Sequence, residues 1–436
     1  MEEKCCLVFD VGKTNQKYFV FNSKNQILKR DKVTIAKVTD EDGHEAEDIY
    51  AIISWIRESF DSIMNSNKFK IDKVNFSGFG ATLVHLDKNN KVVTPVYDYH
   101  KPVDKNIFID FYRKYGPESD FCIKTGSKNL KMLNSGKQIY WIKYKRPHFF
   151  KKIKYSLHLP QYLSHVFTGE LYTEYTSIGC HTDLWDYDKN DYHHWVKSEG
   201  IDKLFPPIVT TSKSISKVIS GRKVSFGVGI HDSSSALLSY LLKGEKSFIL
   251  ISTGTWCVNF NPFSSNYLFD QKEISSGATA YMKMDGSPVK SSRLFLGEEH
   301  RIKAEKLAKY FSVPKFHYQS LVFNKDLFEE LIVNNQNYFN WKFLDNSNSP
   351  KKDLINFPNF EVAYYQLIKE LIALLKCKID IICEKLPDKI YVDGGFSDND
   401  IFLALLKNQF PKQIIKADPA SNACALGAFM VLNKTG

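Results

Sequence analysis

The apolar positions of this chain fall in short runs that end on small or polar residues. A run at 7–9 stops at Asp10-Val11-Gly12-Lys13-Thr14 and another follows at 18–21, which predicts a β-hairpin with a small-residue turn. The pattern returns at 248–251, where Ser252-Thr253-Gly254-Thr255 makes the turn and a strand-like run resumes over 256–260. Helical periodicity covers 47–64 and 361–384, and short buried strands at 74–76 and 389–392 run into glycines. Strands and helices alternate, so the expected class is α/β. A hairpin near the start of each half predicts two duplicated domains, 1–222 and 223–436, with the second opening near Val224. Pro206-Pro207 and the polar stretch 210–222 read as the connector. The stretch 264–352 is rich in Asn and Lys and shows no clear period.

Length supports that division, because 436 residues exceed one compact domain of usual size and two domains leave a cleft between them. With 43% hydrophobic and 14% aromatic residues, both halves can build packed cores. The start, Met1-Glu2-Glu3-Lys4, lacks the basic region of a secretory leader, and no run approaches the roughly 20 apolar residues of a membrane span. A cytoplasmic protein with no membrane partner is expected. The eight cysteines include no C-x-x-C pair, so reduced thiols are expected rather than zinc or redox chemistry. A net charge of +10 is spread over lysines that alternate with Asn, Asp and Glu, and with no helix-turn-helix, zinc-finger or RNP-like signature no nucleic-acid partner is expected.

Four turns carry candidate chemistry. Gly12-Lys13-Thr14 invites a P-loop reading, but that motif needs a glycine five positions earlier, where Leu7 stands. A hairpin turn remains whose residue types suit a triphosphate. Glycine admits phosphate oxygens to the backbone, Thr14 offers a hydroxyl, Lys17 a positive charge, and Asp10 can hold magnesium through water. An ordinary tight hairpin uses the same residues. Ser252-Thr253-Gly254-Thr255 supplies hydroxyls and N–H groups with no acid, as a loop facing an anion should. In Gly229-Ile230-His231-Asp232-Ser233 the aspartate precedes small hydroxyl residues and an apolar helical stripe, which places it as an N-cap. The same carboxylate could face a cleft and take the proton of an attacking hydroxyl. Tyr391-Val392-Asp393-Gly394-Gly395-Phe396 runs from a buried strand into two glycines that would let a ligand lie on the backbone.

In this order, across nearly the whole chain, these turns resemble the FGGY carbohydrate kinases. The resemblance implies two ribonuclease H-like (actin/hexokinase-like) domains, with ATP on the second domain's side of the cleft and sugar mainly on the first. It makes Asp10 the magnesium-associated carboxylate and Asp232 the catalytic base. Gly12, Lys13, Thr14, Asn15 and Lys17 become a phosphate loop, with Thr253, Gly254 and Thr255 facing the phosphates from the second domain and Gly394 and Gly395 bordering the adenosine. Lys13 departs from the family's usual small or hydroxyl residue. His231 before the aspartate and Trp256 after the second turn resemble rhamnulokinase-like and fuculokinase-like sequences, which implies a 6-deoxy-ketose such as L-rhamnulose or L-fuculose. Gly80, Thr82, Asp98 and His231 are the implied sugar contacts. Pentuloses such as ribulose or xylulose remain alternatives, as does a sugar-binding regulator without catalysis or an ATPase of the same fold. The protein is expected as a monomer or homodimer using ATP and Mg2+.

Overall fold

The computed structural model describes residues 3–66, 68–264, 267, 269–333, 336–342, 356–418 and 422–433. Met1 and Glu2 of the start, and 265, 266, 268, 334, 335 and 343–352 of the stretch without a period, lie outside the described residues.

The first hairpin forms from β1 (Lys4–Val11) and β2 (Gln16–Asn22), extended by β3 (Ile27–Val33). Leu7, Phe9 and Val11 pack with helix α1 (Ile49–Asn65), whereas Cys6 and Val8 pack toward the last helix of the chain. Burial on both faces is why this run is continuous rather than alternating. Strand β4 (Lys70–Gly78) lies parallel to β1, with α2 (Leu159–Thr168) packed on it. Beyond β4 run β5 (Ser214–Ile219) and β6 (Arg222–Gly227), and β7 (Ile230–His231) pairs with the end of β4 before entering α3 (Asp232–Leu241). The strand order is β5-β6-β4-β1-β2-β3.

The polar stretch 210–222 is therefore not a connector. Its alternation of half-buried and exposed positions suits an edge strand with one wet face. Ser220 (φ 49°) and Gly221 (φ +76°) take the left-handed backbone that a two-residue hairpin turn demands. The expected division at 222 and 223 falls at this turn, and β6 and β7 both belong to the first sheet.

The second sheet repeats the plan. β8 (Ile249–Thr253) and β9 (Cys257–Asn261) form the second hairpin. β10 (Ala278–Met282) and β11 (Pro288–Leu294) extend it antiparallel, and β12 (Lys389–Gly394) and β13 (Ile414–Asp418) add parallel strands beside β8. Its order is β10-β11-β9-β8-β12-β13. Helices α4 (Leu296–Tyr310), α5 (Phe360–Ile382) and α6 (Asp400–Gln409) cover it around a core rich in Leu, Ile and aromatic side chains. In both sheets an antiparallel hairpin is followed, after further antiparallel strands, by a parallel strand laid beside its first strand, so the fold is a duplicated α/β unit.

Helix α7 (Ala423–Asn433) returns to the first sheet, packing on α3, β1 and β4. Asn75 of β4 donates from Nδ2 to the Ala428 carbonyl at 2.7 Å. A Cβ at Gly427 would lie 1.8 Å from the Ser235 carbonyl oxygen, so only glycine permits this helix crossing. Among the described residues no helix is long and apolar enough to cross a membrane.

Candidate active site

The carboxyl ends of the parallel strands β1, β4, β8 and β12 open on one cleft, the place where open α/β sheets receive ligands. Register puts the chemistry there: Asp10 pairs across β1 and β4 with Ser77 and across the hairpin with Lys17, while Ser252 lies opposite Asp393 and Thr253 opposite Gly394. The β7–β4 pairing of His231 with Gly78 brings the start of α3 to the same edge.

A cavity of about 440 Å³ occupies this cleft, and Asp10, Lys17, His231, Asp232, Gly254 and Gly395 all line it. Lys13, Gly80, Thr253 and Gly394 line it too. A second cavity of about 630 Å³ lies behind the second turn, bordered by Thr255, Tyr318 and Asn399. Gly254 and Gly395 border both, so a ligand could run over the two glycines from one cavity to the other.

Asp232 is the first residue of α3, and the cap is its neighbour. His231 Nδ1 accepts from the Ser234 amide at 3.3 Å, which corrects the expectation of an aspartate N-cap. A ring nitrogen does the capping because the Asp232 carboxylate turns back onto Ser233, whose amide and hydroxyl donate to Oδ1 at 2.5 and 3.2 Å. With Nδ1 accepting, the His231 proton sits on Nε2, 3.2 Å from Asp232 Oδ1 and 3.0 Å from the Cys180 thiol. Burial pushes His231 down to about 3, so the ring is neutral at physiological pH. Burial also pushes Asp232 up to about 6, against the hydrogen bonds of Ser233 that favour its charged form.

Two further carboxyls face the cleft. Burial raises Asp10 to about 6, although the Lys17 charge works the other way, and burial raises Asp393 to about 7. Asp393 Oδ2 is buried with no hydrogen-bond partner among the described residues. Thr253 ties the second turn to the double glycine: its hydroxyl donates to the Asp393 carbonyl and accepts from the Phe396 amide at 3.0 Å. Gly394 (φ +78°) meets the Thr253 carbonyl so closely that a Cβ would lie 1.8 Å from its oxygen.

The remaining expected residues stand at other places. Gly12 donates its amide to the Asn15 carbonyl at 3.0 Å to close the first turn, Thr14 is exposed there, and Asn15 Oδ1 accepts from Thr34 at 2.9 Å. Lys13 Nζ reaches the cleft but pairs with Glu47 and, at 2.9 Å, with Asp98, and it lies 4.2 Å from the Tyr99 ring centre. Asp98 also pairs with Lys37 and His100. Burial would raise its carboxyl, but His100, Lys13 and Lys37 outweigh it and hold the group well below the usual carboxylate range. Thr82 is buried behind the cleft beside Ala81, whose backbone is left-handed (φ 58°). A Cβ at Gly80 would fall 2.8 Å from His231 Nε2, so Gly80 packs directly on that ring.

Sequence reasoning missed Tyr281 of β10 and Arg293 of β11, both of which line the cavity, together with His181 and Tyr99. Tyr281 and Arg293 fall in the stretch without a period, where β10 is buried at every position and shows no alternation. A lone arginine inside Ser291-Ser292-Arg293-Leu294 is the one signal that stretch offered.

Among the described residues no three His, Cys, Asp or Glu side chains converge to cage a metal. The arrangement fits instead a magnesium ion held through water and phosphate oxygens by one or two carboxylates, with Asp10 the buried acid available to it.

The model of the FGGY family of carbohydrate kinases, N-terminal domain, matches residues 5–238. A rhamnulokinase of Yersinia pestis (strain Pestoides F) is 27% identical over 227 residues, which are 49% of this chain and 44% of that protein. The chain thus aligns with less than half the length of that curated relative. Among solved structures, a carbohydrate kinase from Novosphingobium aromaticivorans superposes with a TM-score of 0.79 at 20% identity, covering 98% of this chain and 93% of its own. A ligand-bound xylulose kinase from Lactobacillus acidophilus gives 0.78 at 15% identity, covering 99% and 89%. At these identities the superpositions speak for a shared fold.

Proposed function

The chain belongs to the FGGY family of carbohydrate kinases, and from that premise we propose that it transfers the γ-phosphoryl group of MgATP to the primary hydroxyl of a small carbohydrate, with Asp232 as general base. The observation that carries this reading is the state of the Asp232 carboxylate. Oδ1 is occupied by Ser233 and faces His231, which leaves Oδ2 as the oxygen free to accept a proton in the cleft.

The hydroxyl proton passes to Asp232, the sugar oxygen forms the new bond to phosphorus, and the bond to the β,γ-bridging oxygen breaks as ADP leaves. Burial sets Asp232 at about 6, close enough to neutrality to raise its basicity while keeping it ionised. His231, neutral and fixed by Ser234, holds the carboxylate in place. The nucleotide runs from the cavity beside Thr255 over Gly254 and Gly395, where missing side chains let phosphates lie on the backbone. Lys17 lies across from Asp10 and faces the transferred group. Magnesium, held through Asp10, would neutralise phosphate charge. The sugar falls to the unit built on the first sheet and the nucleotide to the unit built on the second. Such a reaction runs in the cytoplasm, where ATP is supplied.

For the sugar we favour a 6-deoxy-ketose, L-rhamnulose or L-fuculose, phosphorylated at its primary hydroxyl to a 1-phosphate. His231 against Gly80 in the cleft supports this choice, as does the rhamnulokinase alignment. The test is ADP release with MgATP across L-rhamnulose, L-fuculose, D-ribulose, D-xylulose, glycerol and gluconate, with a no-sugar control. Strong turnover on a deoxy-ketose is expected. Activity confined to a pentulose, glycerol or gluconate would discard the deoxy-ketose and keep the kinase. ATP loss without any sugar dependence would overturn the kinase.

A further inference from the structure

Arg293 is the cation in the cleft that the phosphoryl-transfer reading leaves without a task. It lies on β11, half-buried, lining the main cavity on the side of Tyr281, His181 and Tyr99. Its guanidinium carbon sits 5.4 Å from the ring centre of Trp256, a cation–π contact that uses none of its N–H donors. Among the described residues its five N–H donors meet no acceptor within hydrogen-bond distance and no carboxylate within ion-pair distance. It also borders a smaller cavity of about 240 Å³, whose other charged lining residues are Lys128 and Lys378 and include no carboxylate. Burial disfavours its charge, and a guanidinium left unpaired at the cleft wall is open to acceptors brought by a ligand.

The position defines what that answer must be. Asp232, Tyr281 and Arg293 line one cavity, so the base and the guanidinium face the same cleft. A ligand whose hydroxyl reaches Asp232 therefore presents another part of itself to Arg293. The guanidinium fork matches two adjacent oxygens.

We propose that Arg293 is a specificity-determining residue that binds two adjacent oxygens of the carbohydrate, away from the hydroxyl that is phosphorylated. The shared chemistry is a pair of neighbouring acceptors, supplied by a vicinal diol of a neutral ketose or by the carboxylate of a sugar acid. This inference rests on the kinase reading for its placement of the sugar.

The test compares wild-type, Arg293→Gln and Arg293→Lys proteins. Carbohydrate affinity is measured by calorimetry without nucleotide for L-rhamnulose, L-fuculose, D-ribulose, D-xylulose and D-gluconate, beside the affinity for a non-hydrolysable ATP analogue and the melting temperature. Arg293→Gln should weaken the best carbohydrate by about 100-fold and leave the ATP analogue within about twofold. Arg293→Lys should fall between, because a point charge keeps attraction and loses the fork. A deoxy analogue of that carbohydrate lacking one of the two oxygens should bind both proteins alike. Tightest binding of gluconate assigns the carboxylate, and tightest binding of a ketose assigns the diol. Carbohydrate affinity unchanged in a folded Arg293→Gln protein would overturn the proposal, as would an equal loss for the ATP analogue or no binding across the panel. Carbohydrate binding that depends on Arg293 without phosphoryl transfer would instead sink the kinase reading alone.

Discussion

Replacing Asp232 with asparagine separates a catalytic carboxylate from a structural one. Asparagine keeps an Oδ1 acceptor for the Ser233 amide, so the helix start retains its geometry, while the group facing the cleft becomes an N–H donor that cannot take a proton. Loss of a placed general base costs roughly 10²- to 10⁴-fold in rate, or about 2.7–5.4 kcal/mol of transition-state stabilisation. Stability should move the other way. Burial lifts Asp232 from 3.8 to about 6, so ionising it at pH 7 in the folded state costs roughly 2–3 kcal/mol as an upper bound, and asparagine relieves that cost. The expected phenotype is therefore a protein that melts at the same or a higher temperature, binds an ATP analogue at least as well as wild type, and loses most sugar-dependent ADP release. In wild type the rate should rise with pH through about 6 as the base ionises. Single-turnover quench-flow with the preferred sugar reads the chemical step directly. Turnover within tenfold of wild type would refute the assignment. So would a lowered melting temperature with loss of nucleotide binding, which would make Asp232 a structural cap after all.

Gly427→Ala should unfold the contact of α7 on α3, because its Cβ would stand 1.8 Å from the Ser235 carbonyl; a fall of several kcal/mol in denaturant unfolding is expected, and near-wild-type stability would contradict the packing. Lys13→Met leaves Glu47 and Asp98 facing each other with Lys37, and His100 beside Asp98, to compensate, and should cost about 1–3 kcal/mol on thermal unfolding. Burial holds His85 at about 3, so the unfolded chain binds its proton first. Stability due to this residue is whole above about 6.5 and lost toward pH 3, at up to about 1.4 kcal/mol per pH unit. His85→Gln, which can keep the contact to Ser156, should flatten the acid side of the stability profile by about that slope, and an unchanged slope would sink the idea. Chelation of divalent ions should stop transfer and leave carbohydrate affinity intact, as measured by calorimetry with and without EDTA.

How much of this was legible beforehand depended on whether a residue's neighbours lie close in sequence. The run 7–9 and the glycines at 12 and 254 announce hairpins because a strand buried on both faces reads as continuous apolar residues and its turn demands small ones. Helix α5 was visible from its period, since a long helix over a sheet repeats the same demand at every turn. Asp232 was legible as a helix start, yet the sequence could not tell which of His231 and Asp232 caps α3, because that choice turns on a carboxylate bending back to Ser233 by less than one residue's length. The hairpin at 214–227 hid among polar residues because an edge strand of one wet face carries too few apolar positions to declare itself. Arg293 offered no sequence signal beyond a lone arginine beside two serines. Its meaning lies in the absence of a paired carboxylate among the described residues and in Trp256, brought beside it by the pairing of β9 with β11 more than thirty residues along the chain. A charge without a partner is a property of the folded cleft alone, which is why the residue best placed to choose the sugar was the one that motif and periodicity passed over.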